Sequence, residues 1–205
     1  AFATGQTAQL FPACVNARPL AEIYKMQSET ELVNIGIGLL DSHQAKKSID
    51  FFSQAIALNP NNSTTFELRG IAHFRVLDIP RAIEDTSKSI EIDSANHQAW
   101  FNKGEILKHK REYLEAEYCY AKATTLNPDS FIYLNGLIEV CTHLKKNDNV
   151  IEYCNRILEE FPGDGFSLYY RGLAYSKKSD YNLAIKDFLK LIETGKRTAT
   201  NYNNL

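Results

Sequence analysis

Two pairs of side chains of the kinds used in catalysis and metal binding lie 34 residues apart. Glu105 and Glu139 form the first pair, and two carboxylates held close together are what a glycoside hydrolase requires. His109 and His143 form the second pair, but two imidazoles without a third ligand make a poor zinc site. We favour two solvated carboxylates, which would attract a basic group of a ligand, and two surface histidines. The sequence therefore predicts no catalytic residue, no metal site and no cofactor.

The cysteines predict neither a redox centre nor a disulfide framework. Cys14, Cys119, Cys141 and Cys154 show no CxxC spacing, and four cysteines are few for 205 residues, which suits a reducing compartment. We take the cytoplasm as the default location. Cys141 and Cys154 lie at apolar positions, so we expect them to be small buried hydrophobic residues. No GxSxG, HExxH or P-loop motif is present.

Charge and hydropathy argue against two classes of partner. Lys and Arg number 23 against 25 Asp and Glu, giving a formal net charge of −2, so no global positive field attracts nucleic acid or an anionic membrane. The longest apolar run, residues 35–40, is far shorter than the roughly 20 residues that cross a bilayer. We expect no nucleic-acid binding and no direct membrane insertion.

The equal spacing of the two pairs reflects a period of 34 residues along most of the chain. Glycines lie on one grid, interrupted at Ile138, and prolines lie on a second grid, interrupted at Ser94. The grids are Gly36, Gly70, Gly104 and Gly172, with Pro60, Pro128 and Pro162. Apolar residues recur every three or four positions within each unit, which predicts two amphipathic helices per unit. We expect small residues to set the helix crossing, bulky residues to seal it and proline to close the second helix.

The third unit carries the pattern in its fullest form: Trp100, Gly104, Ala116, Tyr120 and Pro128. This order resembles the tetratricopeptide repeat. The resemblance implies an all-α fold, a right-handed superhelical solenoid of helix-turn-helix repeats. It divides the chain into an arm with a possible short helix (1–28), five repeats (29–62, 63–96, 97–130, 131–164 and 165–198) and the start of a sixth repeat or a capping helix (199–205). We expect the solenoid to continue in a longer protein.

The resemblance also implies a binding surface, because the first helices of successive repeats line a concave groove in this family. The side chains assigned to it are Asn34, Leu68, Ile71, Phe101, Asn102, Glu105, Asn135, Glu139, Phe166, Tyr169 and Tyr170. None is Lys or Arg, whereas a clamp for the carboxylate tail of a chaperone needs charge-assisted donors. We therefore predict a protein or peptide ligand other than a chaperone tail.

The predicted function is a non-catalytic protein-interaction module or scaffold that binds a protein segment in this groove. Two alternatives stay open from the sequence. One is an architectural subunit whose edges and convex face join a large assembly. The other is the targeting domain of a longer enzyme.

Overall fold

The computed structural model describes the backbone of residues 28–203 and the side chains of residues 28–195. The predicted arm, apart from Ser28, lies outside the described residues. Residues 28–203 form ten α-helices and no β-strand, which confirms the predicted all-α solenoid. The helices follow one another as five pairs: α1 (Glu29–Asp41) and α2 (Ala45–Leu58), α3 (Ser63–Arg75) and α4 (Ile79–Ile92), α5 (His97–His109) and α6 (Tyr113–Leu126), α7 (Phe131–His143) and α8 (Asn147–Glu160), α9 (Gly165–Lys177) and α10 (Tyr181–Asn203).

A polar residue precedes the first helix of each pair, at the same position of the 34-residue period. These residues are Ser28, Asn62, Asn96, Ser130 and Asp164. All except Ser130 accept a hydrogen bond from a backbone N–H of the first helical turn, which satisfies a donor that the helix leaves unpaired. Ser28 and Glu31 exchange such bonds in a capping box.

The two helices of each pair are joined by the same tight turn. Its central residue has a φ of 58° to 66° in all five pairs and is never glycine: His43, Leu77, Arg111, Lys145 and Ser179. The next N–H then donates to a carbonyl five residues earlier, as in the 2.9 Å bond from Asp78 to His73. This is the Schellman arrangement, which ends one helix and redirects the chain into the next.

The packing of the helices shows which face of the solenoid is concave. Each helix contacts the next helix along the chain, and each first helix also contacts the first helix of the following pair. Second helices of successive pairs make no comparable contact within the described residues. The first helices are therefore the closer-spaced layer and line the concave side, whereas the second helices lie on the convex side.

Three of the four glycines of the grid make room for an aromatic ring of the second helix, whereas Gly70 faces Thr86. A Cβ atom at Gly104 would lie 2.9 Å from the ring of Tyr120, and one at Gly136, on the next first helix, would lie 2.6 Å from the same ring. The ring of Tyr120 is fully buried between the two backbones. The bulky residue of the second helix therefore meets the glycine directly, whereas the sequence analysis assigned the crossing to the small residues.

Helix α10 ends the described part of the solenoid. It passes through residues 199–203, where the sequence analysis predicts a sixth repeat or a capping helix, and that division of the chain stays a prediction. Ile185, Leu189 and Ile192 leave an exposed apolar stripe along α10. No helix within the described residues combines the length and apolar character that crossing a bilayer requires.

Candidate protein-binding groove

The eleven predicted groove residues all lie on first helices, and none of them is fully buried. Asn34 and Tyr169 are exposed, and the others are half-buried: Leu68, Ile71, Phe101, Asn102, Glu105, Asn135, Glu139, Phe166 and Tyr170. Since the first helices line the concave side, these side chains share one surface. Six of them fall in three clusters along the groove. The other five belong to none of these clusters: Asn34, Leu68, Ile71, Phe101 and Asn135. Whether a ligand binds there stays a prediction.

The first cluster joins the two glutamates of equivalent position. The ammonium of Lys108 donates to Glu105 Oε1 at 2.9 Å and to Glu139 Oε2 at 2.7 Å, and so links two neighbouring first helices. Burial lowers the pKa of Lys108, but the hydrogen bonds to both carboxylates outweigh that effect and raise the pKa. Tyr120 also donates to Glu105, at 2.5 Å. The basic group that these carboxylates attract thus comes from the chain itself.

The second cluster surrounds Glu67, a nearly buried carboxyl on α3. Asn96 donates to Glu67 Oε2 at 3.1 Å, and Asn102 of the neighbouring first helix donates to Oε1 at 3.0 Å. Burial raises the pKa of Glu67, while the hydrogen bond from Asn96, the nearby His97 and the hydrogen bond from Asn102 lower it in part. Asn102, one of the three asparagines predicted for the groove, is therefore already hydrogen-bonded within the protein.

Aromatic rings form the third cluster, at the α9 end of the groove. The centroids of the Phe166 and Tyr170 rings lie 4.5 Å apart, and Tyr169 packs edge-on against Tyr170 at 5.4 Å. Tyr169 keeps 46% of its surface exposed. On α7, the preceding first helix, Ile132 keeps 62% exposed. Together they give the groove an accessible apolar end, and aromatic side chains are favoured at binding hot spots.

Phe101 has a larger structural role than the sequence suggested. Its ring packs against Tyr133, with centroids 5.0 Å apart, and against Tyr120 at 5.8 Å. The Tyr133 hydroxyl is hydrogen-bonded to His97 at 2.7 Å and also donates to Gln98. Phe101 therefore links the groove to the core.

His109 and His143 are both exposed, and each packs against an aromatic ring. His109 packs edge-on against Phe74 at 5.4 Å, and His143 stacks on Tyr113 at 4.4 Å. No cluster of three or more metal-ligating side chains occurs within the described residues. Cys141 and Cys154 are buried free thiols, as expected, and burial raises the pKa of each to about 12.

Sequence reasoning missed three contributors to the groove: Lys108, Glu67 and Ile132. The positions compared were those nearest the glycine, whereas Lys108 lies one turn further along α5, where it reaches Glu105 three residues before it. That i, i+3 spacing of opposite charges was a usable signal. Glu67 and Ile132 occupy positions that the comparison of the repeats included. Nothing in the neighbouring sequence indicated that Glu67 is hydrogen-bonded to two asparagines or that Ile132 is exposed.

Comparison with known proteins agrees with this architecture. The sequence profile of the tetratricopeptide repeat matches residues 97–130 and, separately, residues 167–194. The chain is 23% identical over 111 residues to the Hsp70-Hsp90 organizing protein 3 of Arabidopsis thaliana, a match that covers 54% of this chain and 20% of that protein. The chain thus spans about a fifth of the length of this relative.

Solved structures share the fold. The crystal structure of MamA superposes with a TM-score of 0.75 and 23% identity, over 81% of this chain and 97% of that one. YrrB, described as a TPR protein with an unusual peptide-binding site, superposes with a TM-score of 0.74 and 16% identity, over 93% of this chain and 99% of that one. The chain therefore carries tetratricopeptide repeats at residues 97–130 and 167–194, within a helical solenoid whose fold these solved structures share.

Proposed function

We propose that this chain is a non-catalytic protein-interaction module that binds a segment of another protein in its concave groove. The observation that carries the proposal is the accessible apolar surface of the first helices, above all Ile132 and Tyr169. Exposed apolar side chains that gather on a concave surface mark interaction sites. The named use of YrrB, peptide binding, supports the same reading.

The charge of the groove centre argues for a ligand other than an acidic tail. Glu67, Glu105 and Glu139 lie there, and Lys108 is held between two of them. A tail carboxylate would meet this surplus of negative charge and find the ammonium already paired, so charge-assisted binding would be weak. We propose an extended segment that places apolar side chains against Tyr169 and Ile132, even though a relative is named for organizing Hsp70 and Hsp90.

Affinity selection of displayed random peptides against the immobilised chain, followed by calorimetry with the selected peptide, tests the proposal. Tyr169→Ala and Ile132→Ser each remove an accessible apolar contact at little cost in stability, because both side chains are largely exposed. We expect each substitution to weaken peptide binding by about tenfold, as loss of a hot-spot contact does. The parent chain should bind a peptide that ends in acidic residues and a free carboxylate no more tightly than the two variants bind the selected peptide.

The control is Tyr181→Ala, since Tyr181 is also an exposed tyrosine, 60% against 46% for Tyr169, and lies at the start of α10, on a second helix. It should leave the affinity unchanged. Equal losses in Tyr181→Ala and Tyr169→Ala would contradict binding in the groove. Preference for the acidic tail would contradict the proposed ligand.

A second candidate function, an architectural subunit, draws support from α10. Its exposed stripe occupies positions that, in the preceding pairs, lie beneath the next first helix. Leu158 on α8 is equivalent to Ile192 on α10, and only 8% of its surface is exposed. An amphipathic helix of a neighbouring subunit would continue this packing. Ile192→Lys would then prevent assembly in light-scattering measurements on the complex, while Tyr169→Ala would not.

A further inference from the structure

The five helix pairs differ at one pair of positions on the convex side. These positions are the residue just before the glycine position of the first helix and the residue 16 positions later, on the second helix of the same pair. The pairs are Ile35 with Phe51, Arg69 with Asp85, Lys103 with Cys119, Leu137 with Tyr153, and Arg171 with Asp187. Two pairs combine opposite charges, two combine apolar side chains, and the third repeat alone has a cation beside a small thiol.

The charged pairs satisfy their own charges, although a polar crevice of about 300 Å³ lies beside the pair of the second repeat. Arg69 donates to both carboxylate oxygens of Asp85, at 2.8 and 2.7 Å, and Arg171 binds Asp187 with the same two distances. Both aspartates are nearly buried. Such bidentate pairs satisfy both partners, so these positions offer no group for a ligand.

At the same place the third repeat has a larger crevice, and the cation that lines it has a thiol beside it instead of a carboxylate. The crevice has a volume of about 450 Å³ and is lined by Trp100, Lys103, Leu107, Leu114, Glu115, Tyr118 and Cys119. It lies on the side of α5 opposite the groove, because Trp100, Lys103 and Leu107 point roughly half a turn away from Phe101 and Glu105. Leu114 and Tyr118 are exposed large apolar residues on its wall. In the fourth repeat the residue equivalent to Cys119 is Tyr153, a larger side chain that packs against the core. The smaller Cys119 leaves the space of the crevice unfilled.

One cation of the crevice, Lys103, has no carboxylate partner among the described side chains. Lys103 makes no ion pair with any residue whose side chain the structure describes, since a thiol replaces its carboxylate partner. Lys122 lies 5.5 Å from the centroid of the Tyr118 ring, in cation–π contact. Glu115 is the single carboxylate among the lining residues. The complementary ligand is therefore apolar with a negative charge beside it.

We propose that this convex crevice is a second binding site, distinct from the groove, for a protein segment that presents a large apolar side chain next to an acidic residue. The apolar side chain fills the space above Cys119, between Trp100 and Leu114. The acidic residue pairs with Lys103, in the role that Asp85 has for Arg69 in the second repeat.

Trp100 is the only tryptophan of the chain, so its fluorescence reports on this crevice directly. The probe is an acetylated and amidated hexapeptide, Ser-Glu-Phe-Glu-Leu-Ser, titrated against the whole chain; its analogue has Gln in place of both Glu. We expect a saturable change in Trp100 emission, with the acidic peptide binding about fivefold more tightly than the amide analogue. That preference should shrink as salt screens the charges.

Two variants close the crevice by copying other repeats. Cys119→Asp gives Lys103 its missing carboxylate, and Lys103→Leu with Cys119→Tyr reproduces the apolar pair of the fourth repeat. Both should abolish the titration. Leu114→Ser changes an exposed wall residue without disturbing the core and should weaken binding severalfold even if a closed variant fails to fold. Tyr169→Ala, in the groove, is the control and should bind the probe like the parent.

The convex site is supported if the parent and Tyr169→Ala bind the probe saturably and the two closing variants do not bind it. Four results would overturn it: no saturable change in the parent, equal affinity for the acidic and amide peptides, full binding by a folded closing variant or by Leu114→Ser, or loss of binding in Tyr169→Ala. The last would place the probe in the groove.

Discussion

At the scale of single residues, the titration of the nearly buried Glu67 links stability to pH. Its pKa in the folded chain is raised above the ordinary value of 4.5, chiefly by burial. Between those two pKa values the unfolded chain has lost a proton that the folded chain keeps, so the unfolding free energy falls as pH rises. Glu67→Gln removes this titration. We expect the unfolding free energy of the variant, relative to the parent, to increase as pH rises from 4.5 through the raised pKa of Glu67 in the folded chain.

Urea unfolding at constant ionic strength, at several pH values across this window, measures the difference. At the low-pH end the variant is expected to differ from the parent because glutamine at position 67 accepts only one of the hydrogen bonds from Asn96 and Asn102 well. The slope with pH is the diagnostic quantity. A difference that stays constant, or falls, between the two ends of the window would contradict a raised pKa.

Individual residues of the groove were partly predictable. The 34-residue period identified which side chains share a face, because equivalent positions on stacked helices face the same way. It did not identify their partners, since Lys108 reaches Glu139 across a helix-helix boundary at a distance that depends on how closely α5 and α7 stack. The convex crevice likewise follows from one small residue, Cys119, at a position that other repeats fill.

At the scale of the helix, the two glycines of α1 predict opposite responses to substitution. A Cβ atom at Gly36 would lie 2.5 Å from the ring of Phe52, whereas one at Gly38 would meet nothing within 4 Å. Gly36→Ala should destabilise the chain by about 1–3 kcal/mol, as overpacking does. Gly38→Ala should stabilise it by about 0.5–1 kcal/mol, because alanine loses less conformational entropy in a helix.

Chemical unfolding of the two variants under identical conditions measures both effects, and each variant serves as the control for the other. Destabilisation by both substitutions would show that α1 is not packed as described. A stable Gly36→Ala would show that the ring of Phe52 has room to move.

The turn within each helix pair offers a second test at this scale. Leu77 is exposed and has a φ of 62°, a left-handed conformation that costs a non-glycine residue roughly 1–2 kcal/mol. We expect Leu77→Gly to raise the unfolding free energy by about 0.5–1 kcal/mol, because relief of strain exceeds the extra entropy lost by glycine. Thermal and urea unfolding measure the gain.

Its neighbour Val76 provides the control, since it is also exposed but has a φ of −96°. Val76→Gly should lower stability. If both glycine substitutions lower stability equally, the left-handed turn is not strained. No sequence signal marked these turns, because none of the five left-handed positions carries the glycine that usually identifies them. The helices themselves were predictable from the spacing of apolar residues.

At the scale of the whole molecule, equivalent positions of a solenoid can differ in burial. A position is covered where another repeat packs on it and exposed where none does. Leu158 on α8 is 8% exposed, whereas the equivalent Ile192 on α10 is 52% exposed. Leu158→Ala should therefore cost about 2–5 kcal/mol of unfolding free energy, the range for a buried leucine. Ile192→Ala should cost less than about 1 kcal/mol, as for a largely exposed side chain.

Equal costs for the two substitutions, measured by calorimetric or chemical unfolding of the isolated chain, would mean that the face of α10 is covered in solution. The overall architecture was the part of the structure most accessible from the sequence, because one register of glycine and proline repeats through the chain. What covers a terminal face is not encoded by that register.

The central claim is that the surface of the stacked first helices receives a protein segment. The most direct measurement is a methyl NMR footprint of the peptide selected against the whole chain. Leu173 lies on α9 at the position equivalent to Ile71, Glu105 and Glu139. Binding should shift the methyl resonances of Ile132 and Leu173 and leave those of Leu58 and Ile192, on second helices, unchanged. Shifts confined to Leu58, Ile192 and the other residues of the second helices would contradict the claim.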